Sequence, residues 1–150
     1  MSLVVYLKTK EPFPREPSSG IFIREGGRQF EISQEEWDRR NPGREPAIST
    51  PPKETNILYT DNITHNLTPM ASEARLYRPL WRPEEIGIGR ASGLIKPLAG
   101  GLDRLYSDPD RYKALNPPSG WGSYEVFVEF VTNYLAACQA HPEAAVEVWR

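Results

Sequence analysis

Hydrophobic and polar residues change their period along this chain, and each change predicts an element. Leu3 to Lys8 alternates loosely, which predicts a strand. Ile21-Phe22-Ile23-Arg24 and Arg28-Gln29-Phe30-Glu31-Ile32 flank Gly26-Gly27. Two glycines between β-type runs predict a hairpin, because both turn positions can take positive φ. Ser33 then stands three residues before Glu36 in a capping-box pattern, with Ile32 and Trp37 at the staple positions, so a short helix is expected over about 34–40. Asn41-Pro42-Gly43 ends it. Ile57-Leu58-Tyr59 predicts a second long strand, reaching to about Ile63.

Beyond residue 66 the period becomes helical. Thr68 as cap and Pro69 as first residue open a helix whose shared face is Met70, Ala74, Tyr77 and Trp81, ending near Tyr77 because Pro79 follows. Arg82-Pro83-Glu84-Glu85 starts the next, and Ala91, Leu94, Ile95, Leu98, Leu102 and Leu105 keep helical spacing. Pro97 lies inside that pattern, which predicts a kink or two helices. Asp108-Pro109 begins a further turn. Tyr124, Phe127, Val128, Val131, Leu135 and Cys138 form a stripe on a last helix, closed by His141-Pro142, and Ala145 to Trp149 predicts a final strand. The expected fold class is α+β: a bundle of three or four helices packed on a small antiparallel sheet that includes the hairpin. Three parts are expected: residues 1–40 as a strand, hairpin and short helix packed on the main body; 41–55 as a Pro-rich linker; and 56–150 as the main α+β domain.

Composition narrows the functional classes. The chain has 150 residues, 39% hydrophobic and 25% charged, with a net charge of −2, so it can bury a core and presents no global cationic field for nucleic acid or an anionic membrane. No apolar run approaches a membrane span, and the start lacks a basic n-region. A cytoplasmic location is the expectation, and the Asn-x-Thr patterns at Asn62 and Asn66 are then coincidental. With one cysteine, Cys138, and two distant histidines, His65 and His141, neither a disulfide nor a metal site is expected, and no cofactor motif occurs.

Candidate chemistry gathers at the strand-to-helix junction Asn62-Ile63-Thr64-His65-Asn66. Asn62, Thr64 and Asn66 fall on one face if extended, and amides and hydroxyls read neutral polar groups such as bases and riboses. The competing reading spends them on their own backbone as turn and cap groups. His65 is a candidate general base, for which Asp61 or Glu84 could be the carboxylate. Arg82 can hold a phosphate or carboxylate, although Arg75, Arg78 and Arg82 among Glu73, Glu84 and Glu85 also describe a self-paired solvent face. Trp121 stands between two glycines and either covers a ligand ring or plugs the core. Cys138 lies on the apolar stripe as an inert thiol. The expected ligand-binding set is Asn62, Thr64, His65, Asn66, Arg82 and Trp121.

The blocks Asn62-x-Thr64-x-Asn66-x-x-Pro69-Met70, Leu80-Trp81-Arg82-Pro83-Glu84 and Asn116-Pro117-x-x-Gly120-Trp121-Gly122-x-Tyr124 carry a family pattern. From about Asn56 onward the chain resembles small proteins of phages and prophage-bearing bacteria. The resemblance implies an accessory factor and no particular reaction. The leading expectation is a non-enzymatic protein that binds a host protein or a small nucleotide-like ligand. A small hydrolase or transferase built on His65 is the second expectation. A structural or assembly protein, associating with itself through a sheet edge or an apolar helix face, is the third.

Overall fold

The computed structural model describes residues 1–49 and 52–150. Its elements are strand β1 (Ser2–Pro14), β2 (Ile21–Glu25), β3 (Arg28–Ile32), helix α1 (Gln34–Arg40), β4 (Glu54–Thr64), α2 (Thr68–Glu73), α3 (Tyr77–Trp81), α4 (Ser92–Ser107), α5 (Pro109–Lys113), α6 (Tyr124–Ala140) and β5 (Ala145–Trp149). Helix covers 43% of the described residues and strand 28%, with the strands antiparallel, so the class is α+β. Thr50 and Pro51 of the expected 41–55 linker lie outside the described residues. No helix among the described residues is long and apolar enough to cross a membrane.

The main sheet runs β4-β1-β5, with β1 in the centre. Directly paired residues of antiparallel strands share a face. Leu3↔Ile63, Val5↔Asp61 and Leu7↔Tyr59 therefore face inward, and Val4↔Asn62 and Tyr6↔Thr60 face outward. Leu3, Val5, Leu7 and Ile63 are fully buried beneath Leu94, Leu98 and Leu105 of α4 and Phe127, Phe130 and Tyr134 of α6. The loose alternation of Leu3 to Lys8 is this in-and-out pattern. The hairpin departs from expectation: β2 and β3 form a separate two-stranded sheet beside β4, because the outer edge of β4 meets it through side chains and not through a ladder.

The helices do not form the expected bundle. Only α4 and α6 are long; α2, α3 and α5 are short and add buried side chains to the core, and α1 lies outside it with no buried residue. The helix expected from Thr68 through Tyr77 is broken in two. Leu76 N–H donates to the Ala71 carbonyl at 2.7 Å and Arg75 N–H to the Ser72 carbonyl at 3.1 Å, a Schellman-type ending with Arg75 at φ 59. A left-handed arginine costs about 1–2 kcal/mol. Full burial of Leu76 offsets it, and Gly101 makes that burial possible, since a Cβ there would stand 2.3 Å from Leu76 Cδ2. Pro79 then lies in the first turns of α3, where its missing N–H has no helical partner to lose.

Other caps follow the sequence more closely. Ser33 Oγ accepts the Glu36 N–H at 3.1 Å, whereas the Glu36 carboxylate turns to Arg39 and Arg40 and not to the Ser33 N–H. Thr68 is not a helix cap: Thr64 caps a 3-10 turn over His65–Leu67 that precedes α2, and Thr68 Oγ1 donates to the His65 carbonyl at 2.9 Å. Pro97 is held inside α4 as one continuous element. In α6 the deep positions are Tyr124, Phe127, Phe130, Val131, Tyr134 and Cys138, while Val128 and Leu135 sit at the margin. Burial pushes the Cys138 thiol up to about 12, which keeps it protonated and unreactive.

Candidate functional site

The junction at residues 61–66 sends successive side chains to four different places. Asp61 faces inward, and its Oδ2 meets Arg28 Nη2 at 2.6 Å, with the Tyr59 hydroxyl at 3.3 Å. Burial pushes this carboxyl up, opposed by Arg28, the Asn62 N–H and the Tyr59 hydroxyl. Asn62 faces outward, and its Oδ1 accepts the Gln29 N–H at 3.2 Å. Thr64 is 3% exposed and accepts the Asn66 N–H at 3.2 Å. Its methyl is clamped between Gly27 and Gly122. Asn66 Nδ2 donates to the Trp121 carbonyl at 3.3 Å.

His65 leaves the strand line altogether. Its Nδ1 accepts the Trp81 indole N–H at 2.8 Å, so the neutral ring carries its proton on Nε2. Desolvation, and then the Met1 ammonium, hold its pKa below the ordinary histidine value. Protonation of Nδ1 would also break the Trp81 bond. His65 is therefore expected to titrate below the usual histidine range in an NMR pH series, and Trp81→Phe to raise that midpoint. A wild-type midpoint at or above the ordinary value would contradict this geometry.

The other sequence candidates take separate partners. Glu84 pairs with Arg150 at 2.7 Å, and Arg82 lies beside the Tyr77 hydroxyl, which pushes its pKa further up, with Glu85 and Glu84 nearby. No hydrogen bond joins His65 to Asp61 or Glu84 among the described residues. Trp121 is 41% exposed, so it does not plug the core; Gly122 takes the inward position instead, against Thr64 and Leu67. The structure thus joins Asn66 to Trp121, and His65 to Trp81 beside Arg82, and keeps both pairs apart from Asn62. No group of three His, Cys, Asp or Glu side chains among the described residues could hold a metal ion.

Asn62 opens into a groove of about 490 Å³ between the outer face of the sheet and the hairpin, a volume in the range of small-molecule sites. Tyr6, Phe22, Gln29, Arg15 and Arg24 line it with Asn62. Glu31 is also there, but its carboxylate accepts from the Ser18 and Ser19 hydroxyls and the Gly20 N–H. These bonds, Ser18's first, hold its pKa below the usual range. Asp61 reaches the groove as well, paired with Arg28, whereas Arg15 and Arg24 form no ion pair among the described residues and leave two guanidinium groups free beside the two carboxylates. A larger groove of about 920 Å³ lies beside His141–Ala145 and contains none of the junction side chains.

Tyr6, Phe22, Gln29, Arg15 and Arg24 were not sequence candidates. The signal for Tyr6 was present: in β1 the residues between Leu3, Val5 and Leu7 must face away from the core. The hairpin residues carried no such signal, because nothing in their own pattern says which sheet face they approach. No protein-family model, curated protein or solved structure matches the chain, so the geometry of this groove carries the functional reading.

Proposed function

We propose that this chain is a non-enzymatic binding protein whose ligand is a small nucleotide-like molecule seated in the groove between the outer sheet face and the β2–β3 hairpin, in the accessory role that the likeness to phage and prophage proteins implies. One observation carries the proposal: the groove offers aromatic rings (Tyr6, Phe22), amides (Asn62, Gln29) and two uncommitted guanidinium groups (Arg15, Arg24), while its two acids are engaged, Glu31 by Ser18 and Ser19 and Asp61 by Arg28. Rings stack on a base, amides read its edge, and guanidinium forks grip phosphate. Support for a non-enzymatic reading comes from the separate engagement of His65, Asp61 and Glu84 with Trp81, Arg28 and Arg150.

The test is thermal shift and calorimetry with AMP, GMP, CMP and UMP, each beside its nucleoside. Ligand at 100 times its dissociation constant adds about 2.7 kcal/mol of stability. At least one nucleotide is expected to stabilise the protein, and Arg24→Gln to weaken it by about tenfold or more, close to 1.4 kcal/mol. Silence from all four nucleotides and nucleosides refutes the proposal. Equal binding of a nucleotide and its nucleoside would remove the role given to the arginines.

A further inference from the structure

One wall of the groove is weakly founded. Within β2 and β3 only Ile21 and Arg28 are buried, and Phe22 and Phe30 each remain 38% exposed. An isolated hairpin is marginal in water. The helix that follows gives no anchor, since α1 has no buried residue, and Arg40 ties it to Glu25 of the hairpin at 2.9 Å. Hairpin and α1 therefore form an arm laid on the body.

What fastens the arm is mostly polar. Arg28 reaches inward from β3, its side chain only 7% exposed, to Asp61 at 2.6 Å and Glu129 of α6 at 3.1 Å. The Gln29 N–H adds the bond to Asn62, and Gly27 rests on Thr64. Arg28 Nε and Nη1 make no well-aligned hydrogen bond in this buried position, so the desolvation of the guanidinium is not fully repaid. A buried ion pair of this kind is close to break-even in free energy, because desolvation nearly cancels the attraction. The docked and released positions of the arm then lie close in free energy.

We infer that the β2–β3 hairpin is a hinged wall of the groove, latched by Arg28 onto Asp61, and that a bound nucleotide draws it shut. This rests on the binding reading above. Arg24 travels with the hairpin, whereas Arg15 is fixed to the body by its N–H on the Lys53 carbonyl at 2.8 Å. A phosphate shared between them can be gripped only with the wall closed. Arg28 touches no ligand and acts by positioning Phe22, Arg24 and Gln29.

Hydrogen exchange on the full chain reads this directly. In Arg28→Met, which keeps the aliphatic stem, amides of residues 21–32 are expected to exchange about tenfold faster or more, while α4 and α6 are unchanged. Asp61→Asn is expected to give the same pattern from the other side of the latch. In the wild type, the nucleotide that binds tightest should slow exchange over 21–32, and Arg24→Gln should abolish that slowing. Unchanged exchange of the hairpin in both latch variants overturns the latch, whatever nucleotides do. Loss of protection in α4 and α6 together with the hairpin overturns it too. If the latch variants free the hairpin but a nucleotide that binds by calorimetry does not slow it in the wild type, ligand-driven closure falls while the groove reading stands; silence in calorimetry removes both.

Discussion

Gly122→Ala is expected to destabilise the protein by about 2–6 kcal/mol, combining backbone strain of about 1–3 kcal/mol with overpacking of similar size. Gly122 has φ 103, and a Cβ there would stand 2.8 Å from Thr64 Cγ2 and 3.1 Å from Leu67 Cγ. Neither neighbour can yield easily. Leu67 is fully buried and Thr64 is 3% exposed, and the Thr64 methyl is blocked on its other side by Gly27, whose own Cβ would come within 3.0 Å. Thr64→Ser removes the obstructing methyl and keeps the hydroxyl that caps the His65–Leu67 turn. The double variant should therefore recover the packing part of the loss and keep the strain part. Urea denaturation gives the answer through the midpoints at unchanged slope. If the two substitutions simply add, the clash with Thr64 is not the cause.

That clamp also explains what was and was not legible in the sequence. Local rules dominated where one residue acts on its own backbone: Ser33 and Asp108 both cap the helices that follow them. Periodicity located α6, β1, β5 and the body of α4, because each turns one apolar face to the core, but the start expected at Arg82–Glu85 is a separate 3-10 turn over Pro83–Ile86 and α4 begins at Ser92. It failed in α6 at single positions, where Phe130 and Tyr134 proved deeper than Val128 and Leu135, since a stripe can be drawn along neighbouring lines of one helix. The break at Arg75 was hidden because it depends on Leu76 entering the space that Gly101 leaves open, a contact between distant parts of the chain.

The site divides in the same way. Extended spacing put Asn62, Thr64 and Asn66 on one face, but the strand ends at Thr64 and the chain turns there, so Asn66 leaves that face. Thr64 became a cap, as the competing local reading held. The groove itself joins β1, β4 and the hairpin, and no stretch of sequence contains it. Arg28 had no local signal at all: next to a Gly-Gly turn it reads as a solvent-facing charge, and only the docking of the hairpin buries it.

Because that docking can be undone, the Arg28–Asp61 pair should behave unlike a pair sealed in a core. Where a buried charge has no route to water, removal of its partner costs about 3–5 kcal/mol, and removal of both partners recovers much of the loss. Here the two charges sit on parts that can separate. After Asp61→Asn the guanidinium can leave with the hairpin, and after Arg28→Met the carboxylate is wetted where the hairpin lay. Both substitutions end in the same released state, so each should cost the same free energy, about 1–3 kcal/mol. The double variant should cost no more than either single one. A double-mutant cycle by urea denaturation distinguishes the cases. Single losses of about 3–5 kcal/mol with strong recovery in the double would describe a fixed wall. Equal losses that do not add describe a wall that swings, and the free energy they share is that of closing it.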